Sequence, residues 1–325
     1  MFLSTRSLAF QRLVPAMNAF HLGTRGSALA LAQAELTERA LALAAPQLAI
    51  ERKIFVTRGD KKLDLSLLKA NEAGGKGLFT KELEDALLRG EIDVAVHSLK
   101  DLPGHNPPGL DITAVLPRAP TADVLIAKHA GGFDALPQGA RLGTSSVRRA
   151  RQLRWLRPDL QIEEWRGNVQ TRLRKLAAAE DVAGILLAQA GLERLGFDLT
   201  GGVLVFEETT FHIEPLGGRL LPAIGQGAIA LQSRADRPEV SAILQTIDHR
   251  ETHIAIRAER ELQRLLSGDC AMPVGALTTL KGDRLHLRAI LFPADESQSP
   301  KLAEAEGEAS APELVAAEVF AQLGA

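Results

Sequence analysis

The chain has 325 residues, of which 46% are hydrophobic and 24% are charged, and its formal net charge is −2. This length allows two or three domains with cores of their own, and the near-neutral charge argues against nucleic acid or membrane as a partner. A single cysteine excludes a disulfide scaffold and fits a reducing compartment, the cytoplasm. No apolar run is long enough to predict a membrane-spanning helix.

The first 19 residues contain Arg6 and Arg12 and no acidic residue, a composition similar to that of a weak transit peptide. A disordered extension, or a true start at Met17, explains the segment better, because no long apolar core precedes a small-residue cleavage site. We therefore place residues 1–19 outside the folded domains.

Strands and helices alternate from this point on. His21–Thr24 predicts a strand end, and a helix follows it with Ser27 as N-cap and Pro46 beyond its end. Ala49–Val56 alternates apolar and polar residues, which predicts a second strand.

The next elements predict a buried sheet. Leu83, Ala86 and Leu87 share one face of an amphipathic helix that ends at Gly90. The nearly continuous apolar run Ile92–Ser98 is typical of a strand that is buried on both faces. Strands that alternate with helices predict an α/β domain with a mainly parallel sheet.

The same pattern recurs from Pro117 and predicts a second α/β domain over residues 117–215. Its last segment, Gly201–Pro215, is rich in strand-forming residues but has no clear place in the pattern. The chain then returns to the first domain, which we assign to residues 20–116 and 216–245. Residues 246–325 predict a smaller α+β domain, in which the polar stretch Asp295–Ser310 is interpreted as a mobile loop.

Two α/β domains joined by two crossings predict a cleft, and ligands of parallel sheets bind outside the carboxyl ends of the strands. Lys100 and Asp101 directly follow the predicted strand Ile92–Ser98. This position places a cation and a carboxylate at the mouth of the cleft. A solvated turn is the alternative explanation for an isolated Lys–Asp pair.

Arginines recur where a predicted strand leads into a helix. Arg148 and Arg149 occupy the first turn of a helix, where the partial positive charge of the helix end ordinarily favours acidic residues. The pair is tolerable if an anion binds both arginines and the free backbone N–H groups. Similar strand-to-helix junctions place Arg25 just before a helix cap, Arg166 at a strand end, Arg172 early in the following helix and Arg194 in the next candidate turn. A surface ion pair would explain each arginine singly, but their recurrence indicates a ligand with several carboxylates or phosphates.

Other kinds of site find little support. The glycine-rich stretch AGGKGLFTKE, with Lys76 and Phe79, lacks the spacing of a phosphate-binding loop, and we interpret it as a flexible loop near the cleft. The histidines are scattered, and no metal-ligand, GxSxG or GxGxxG motif is present. We therefore predict no metal, no hydrolase triad and no dinucleotide site.

A set of motifs, taken in order, resembles the porphobilinogen deaminase (hydroxymethylbilane synthase) family over about residues 20–280: VTRGD, GGKGLFTKELE, VAVHSLKDLP, GTSSVRRARQL, RGNVQTRL, LAQAGLERLG, LPAIGQGA and GDCAMPVGA. The resemblance implies two domains similar to periplasmic binding proteins, plus a third domain. It implies a transferase of heme and tetrapyrrole biosynthesis that joins four porphobilinogen molecules head to tail on a covalent dipyrromethane cofactor. Ammonia is released at each step, and hydrolysis frees hydroxymethylbilane. It further suggests a monomer.

The resemblance also implies residue roles. Cys270 would carry the cofactor through a thioether, and Asp101 would be the catalytic carboxylate. The implied cofactor-binding residues are Ser98, Lys100, Thr144, Ser145, Ser146, Arg148, Arg149 and Asn168. The implied substrate-binding residues are Arg25, Ser27, Arg149, Arg166, Arg172 and Arg194, with Lys76 and Phe79 on a loop.

The chemistry of the family explains these residue types. Each pyrrole carries two carboxylates, which arginine binds in a two-pronged geometry while it stays charged. Loss of ammonia from porphobilinogen leaves an electron-poor methylene-pyrrolenine, whose positive charge Asp101 can stabilise. Asp101 can also assist proton transfer. A thiolate at Cys270 can attack the same kind of electrophile and form a thioether. Because this thioether is not cut during turnover, the resemblance makes Cys270 an anchor and not a turnover nucleophile.

The sequence departs from the family pattern next to the cysteine. Asp269 stands where glycine is common, and an acid there could raise the pKa of the Cys270 thiol or simply point away. The segments Lys61–Ala73 and Gly201–Pro215 are slightly long. Two other interpretations are a non-enzymatic anion-binding protein, which leaves Asp101 and Cys270 unexplained, and an inactive family member, although every implied functional residue is present.

Overall fold

The structure is a computed structural model that describes residues 19–57, 80–266 and 273–324. These residues form two compact units. Unit 1 contains residues 19–57, 80–118 and 228–253, and unit 2 contains residues 119–227, 254–266 and 273–324. The predictions for the N-terminal extension, Lys61–Ala73, Lys76, Phe79, Asp269 and Cys270 lie outside the described residues.

The described strands are β1 (Phe20–Arg25), β2 (Ile50–Phe55), β3 (Val94–Ser98), β4 (Leu110–Val115), β5 (Asp123–Ala127), β6 (Arg141–Gly143), β7 (Gln161–Glu163), β8 (Gly184–Ala188), β9 (Val203–Phe206), β10 (Thr209–Pro215), β11 (Ile229–Arg234), β12 (Val274–Lys281), β13 (Arg284–Leu291) and β14 (Lys301–Glu308). The described helices are α1 (Ala28–Ala44), α2 (Lys81–Leu88), α3 (Val147–Leu156), α4 (Val169–Ala178), α5 (Gln189–Arg194), α6 (Pro238–Gln245), α7 (Arg250–Leu265) and α8 (Pro312–Leu323). Short 3₁₀ turns cover Leu99–Asp101 and Thr200–Gly202.

Sheet 1 lies in unit 1 and has the strand order β2-β1-β3-β11-β4. The strand β1 is parallel to both β2 and β3, whereas β11 is antiparallel to β3 and β4. The sheet is therefore mixed, where the sequence predicted a mainly parallel one. The reason is that β11 returns after the chain has passed through unit 2 and enters the sheet in the opposite direction.

The predicted helix signals of unit 1 are confirmed. The Ser27 side chain caps α1 by accepting the backbone N–H of Ala30 at 3.3 Å. In α2, Leu83 and Leu87 are fully buried, and Gly90 follows the helix with φ of +71°. Only a residue without a side chain adopts that left-handed conformation without strain, so the helix ends there.

Sheet 2 lies in unit 2 and has the strand order β7-β6-β8-β5-β10-β9. Its strands β7, β6 and β8 are parallel, and β5 is antiparallel to β8. The segment Gly201–Pro215, which had no clear place in the sequence pattern, forms the β9–β10 hairpin that extends the sheet beyond β5. Apolar clusters cover the sheet, one around Phe211 and Ile185 and the other around Leu125 and Leu142.

The C-terminal part of unit 2 contains the antiparallel sheet β12-β13-β14, on which α7 and α8 bury apolar side chains. The prediction of a mobile loop over Asp295–Ser310 is wrong, because β14 occupies Lys301–Glu308. Buried Ala303 and Ala305 alternate there with exposed glutamates. Alanine is too small to give this strand the hydrophobicity by which the other strands were recognised.

The described residues confirm an α/β fold with a smaller C-terminal sheet domain. Among them, none of the helices has the length and apolar character needed to cross a membrane. The same residues hold no cluster of three or more His, Cys, Asp or Glu that suits a metal ion.

Candidate functional site

A pocket lies at the carboxyl edge of sheet 1. Among the residues that line it are Arg25, Ser27, Gln33, Ser98 and Asp101. They meet because β1 and β3 are parallel neighbours, so the turns beyond their carboxyl ends lie side by side. The structure thus brings together four predicted site residues from two distant parts of the sequence.

The 3₁₀ turn Leu99–Asp101 presents the predicted catalytic carboxylate. Its first residue donates a backbone hydrogen bond to Ala228 O at 3.1 Å, and Leu102 N closes the turn on Leu99 O at 3.0 Å. Asp101 is half-buried and lines the pocket, whereas Lys100 lies beside it in the turn and outside the lining. Two backbone hydrogen bonds therefore fix the turn that carries Asp101.

Gln33 is a pocket residue that the sequence analysis missed. It is 2% exposed, and its Nε2 donates to Ser98 Oγ at 2.8 Å. Gln33 shares the buried face of α1 with Ala30, Ala34 and Leu41. A polar side chain within this apolar stripe was the signal that could have revealed it.

Three strand-to-helix turns meet at the carboxyl edge of the parallel strands β7, β6 and β8 in unit 2. Ser145 Oγ donates to Trp165 O at 2.7 Å and so connects the turn after β6 to the turn after β7. Ser146 and Asn168 cap α3 and α4 by accepting the backbone N–H three residues further on, at 3.4 and 2.8 Å. Thr144 Oγ1 accepts Ser146 N at 3.2 Å. These four predicted residues therefore shape the turns themselves.

Arg148 and Arg149 both contact Asp123, a fully buried carboxylate at the start of β5. Arg149 donates to Asp123 Oδ1 from Nε at 3.0 Å and from Nη2 at 2.7 Å, and Arg148 Nη1 donates to Oδ2 at 2.8 Å. Burial would raise the pKa of Asp123, but the two arginines hold it well below its usual range. The anion expected at the start of this helix is thus supplied in part by the protein itself.

Arg172 has no carboxylate partner in the described part of the chain. Its Nε donates to Gly167 O at 2.7 Å. Burial, with a further contribution from the charges of Arg149 and Arg166, lowers the pKa of Arg172 to about 10. Arg166 differs, because its Nε donates to the exposed carboxylate of Glu164 at 2.8 Å.

Arg194 is, like Arg172, a half-buried cation, but it is the last residue of α5 and does not lie in the turn after β8 as the sequence predicted. Its Nη2 donates to Gly227 O at 2.7 Å, and no described carboxylate forms an ion pair with it. Burial lowers its pKa to about 10, although the charge of Glu193 opposes the shift. A half-buried cation without a carboxylate partner is stabilised by a nearby anion. The cationic residues of unit 2 are therefore suited to a ligand that carries several carboxylates.

Solved structures of similar architecture include the periplasmic aliphatic sulphonate binding protein SsuA from Escherichia coli. Its sequence identity is 14% and its TM-score 0.39, and the match covers 78% of this chain and 74% of that chain.

Sequence comparisons cover most of the chain. The family model described as "Porphobilinogen deaminase, dipyromethane cofactor binding domain" matches residues 20–242, and the model of the porphobilinogen deaminase C-terminal domain matches residues 253–324. The porphobilinogen deaminase of Desulforudis audaxviator is 47% identical over 294 residues, which are 90% of each protein. That of Syntrophomonas wolfei is 45% identical over 279 residues, which are 86% of this chain and 87% of that protein. The chain belongs to the porphobilinogen deaminase family.

Proposed function

We propose that the protein is a hydroxymethylbilane synthase, a transferase that condenses four porphobilinogen molecules head to tail on a covalent primer. Ammonia is released at each step, and hydrolysis yields hydroxymethylbilane. The observation that carries the assignment of the site is the pocket in which Asp101 lies with Arg25, Ser27 and Ser98. We further propose that the enzyme works as a cytoplasmic monomer with no nucleic-acid or membrane partner.

The cationic residues of unit 2 fit a dipyrromethane primer, because half-buried Arg172 and Arg194 lack a carboxylate partner among the described residues while each pyrrole ring carries two carboxylates. We assign Cys270 as the thioether anchor. We assign the primer's polar groups to Ser98, Lys100, Thr144, Ser145, Ser146, Arg148, Arg149 and Asn168. We assign porphobilinogen and the growing chain to Arg25, Ser27, Arg149, Arg166, Arg172 and Arg194. When bound, the primer supplies the carbon nucleophile.

Asp101 has two tasks in this reaction. Positive charge develops near the pyrrole nitrogen as ammonia leaves, and the carboxylate stabilises it by accepting a hydrogen bond from the ring N–H. Asp101 also exchanges protons with the departing amine and with the carbon that has just been substituted. The hydrogen bond from Gln33 to Ser98 fixes the wall of the pocket in which Asp101 lies.

The first test replaces the carboxylate. Asp101→Asn retains the shape of the side chain but removes its charge, and we expect kcat to fall by about 100-fold or more. The rate of porphobilinogen consumption measures the effect, with intact mass as the check that the primer is still attached. Asp111→Asn, an exposed position on β4, is the matched control and should retain the wild-type rate. A near-normal kcat in Asp101→Asn would remove this residue from the mechanism.

The second test concerns the anchor. We expect the mass of the purified protein to exceed its sequence mass by two pyrrole units, and Cys270→Ala to abolish the excess. An unmodified mass in protein from cells that make porphobilinogen would contradict the assignment. The same measurement tests the non-enzymatic alternative, since an anion-binding protein would carry no covalent pyrroles.

A further inference from the structure

Asp123 is a buried acceptor that belongs to none of the roles assigned above. Its Oδ1 accepts from Arg149 and, at 2.9 Å, from Gln226 Nε2, while its Oδ2 accepts from Arg148. It lies at the amino end of β5, opposite Ala188 at the carboxyl end of the antiparallel β8. This register places Asp123 at the sheet edge where the cationic turns meet.

The hydrogen bonds of Arg149 use three of its N–H donors and leave two without an acceptor among the described residues. Of the five N–H donors that an arginine has, Nε and one on Nη2 bind Asp123, and one on Nη1 donates to Leu186 O at 2.9 Å. One N–H on each terminal nitrogen remains without an acceptor in the described part of the chain. Two such donors suit the two oxygens of a ligand carboxylate.

Arg148 also uses only some of its N–H donors. Both N–H groups of its Nη1 are committed, one to Asp123 and one to Leu221 O at 2.7 Å. Its Nε is buried, and the described residues offer it no acceptor. Because one carboxylate faces two guanidinium groups, the cluster retains a net positive charge that an anionic ligand would neutralise.

We propose that Asp123 is a positioning residue for the reaction assigned above. It holds Arg149 by its Nε edge and Arg148 by one terminal nitrogen, and so directs their remaining N–H groups at the carboxylates of the primer and the growing chain. Gln226 steadies the acceptor, because its Nε2 also donates to Thr121 O at 2.7 Å. The inference rests on the proposed function, since that function supplies the ligand.

The experiment compares Asp123→Asn with the wild-type holoenzyme. Asparagine has the same shape, but it lacks the charge and turns an NH₂ group towards one arginine. Loss of a hydrogen bond to a charged group corresponds to about tenfold weaker binding. We expect KM for porphobilinogen to rise by about that factor and the fraction of protein that carries the primer to fall. The kcat of the loaded fraction should stay within about threefold, because Asp101 is untouched.

Glu259→Gln is the matched control for a purely structural role. Glu259 is a fully buried carboxylate of the same unit that accepts the backbone N–H of Gly225 at 2.8 Å and of Thr278 at 3.2 Å. Its replacement should lower Tm and leave KM and primer content unchanged. A folded Asp123→Asn variant with the same pattern, a lower Tm but wild-type KM and loading, would overturn the proposal.

If Asp123→Asn does not fold, Gln226→Leu tests the positioning role of Asp123 instead. This change keeps both ion pairs and removes the donor that steadies Oδ1, so a smaller rise in KM is expected, and an unchanged KM contradicts the proposal. Failure of the proposed function looks different, because the wild-type protein would then carry no covalent pyrroles and consume no porphobilinogen.

Discussion

Two kinds of arginine lie near the carboxyl edge of sheet 2, one buried and one half-buried. Arg149 forms an ion pair with Asp123, whereas Arg172 has no carboxylate partner among the described residues and a pKa of about 10. Burial of a charge is costly unless the charge is paired, so the first arginine contributes to the stability of the fold and the second reduces it. The cost of Arg172 is fully present below pH 10 and is relieved as the pH rises towards the ordinary arginine pKa, because only the unfolded state then binds the proton.

Arg149→Leu and Arg172→Leu should therefore affect the free energy of unfolding differently. Arg149→Leu leaves Asp123 with one arginine fewer, and we expect a loss of about 3 kcal/mol in the free energy of unfolding. Arg172→Leu should leave that free energy unchanged or raise it, because an uncompensated cation is removed, while KM for porphobilinogen increases. Urea denaturation and steady-state kinetics measure the two effects. Equal loss of stability in both variants would mean that Arg172 has a partner in the folded resting enzyme.

At the scale of elements, the parallel strands bring together residues that are far apart in sequence. Position in the sequence was enough to predict that the residues after β3, β6 and β7 lie at strand ends, and Ser27, Gly90 and Asp101 could be read from local patterns. Asp123 could not, because its role depends on the arginines of a helix that packs beside its strand. Gln33 showed in the sequence only as a polar residue within the apolar face of α1, and its partner Ser98 is visible only in the fold. The direction of β11 was equally hidden, since it follows from the path of the whole chain.

Close packing of two turns supports this edge. A Cβ atom on Gly143, the last residue of β6, would lie 2.7 Å from the ring of Trp165, which precedes the turn with Arg166. We expect Gly143→Ala to displace that ring, lower the free energy of unfolding by about 1–3 kcal/mol and raise KM.

Gly218→Ala provides the matched control for this change. A Cβ at Gly218 meets nothing within 4 Å, so the same substitution should change stability by no more than about 0.5 kcal/mol. Urea denaturation of both variants makes the comparison. Equal stability of the two would show that the Trp165 ring moves aside without cost.

At the scale of the whole molecule, the assigned residues divide between the two units. Arg25, Ser27, Ser98 and Asp101 belong to unit 1, and the turns with Arg149 and Arg172 belong to unit 2. Neither unit contains the full set of groups that we assign to the reaction. The proposed roles therefore imply that groups of both units take part in turnover.

Stepwise growth of the chain can be followed directly on the intact enzyme. After porphobilinogen is added, we expect a ladder of masses, each one pyrrole unit above the last. Since Arg172→Leu removes a cation assigned to the growing chain, its ladder should stop early or accumulate at one step. A protein whose mass does not change while porphobilinogen is consumed would contradict growth on a covalent primer.

The insertion of β11 between β3 and β4 also governs the order in which the chain can fold during synthesis. Sheet 2 is built from the uninterrupted stretch that ends with β10, whereas sheet 1 stays open until residues 119–227 have left the ribosome. Until then β3 and β4 lack the strand that pairs with both, and unpaired strand edges promote association with other chains. Although it comes first in the sequence, unit 1 is completed only after sheet 2 has been synthesised, and in that interval the edges of β3 and β4 are open to pairing with other chains.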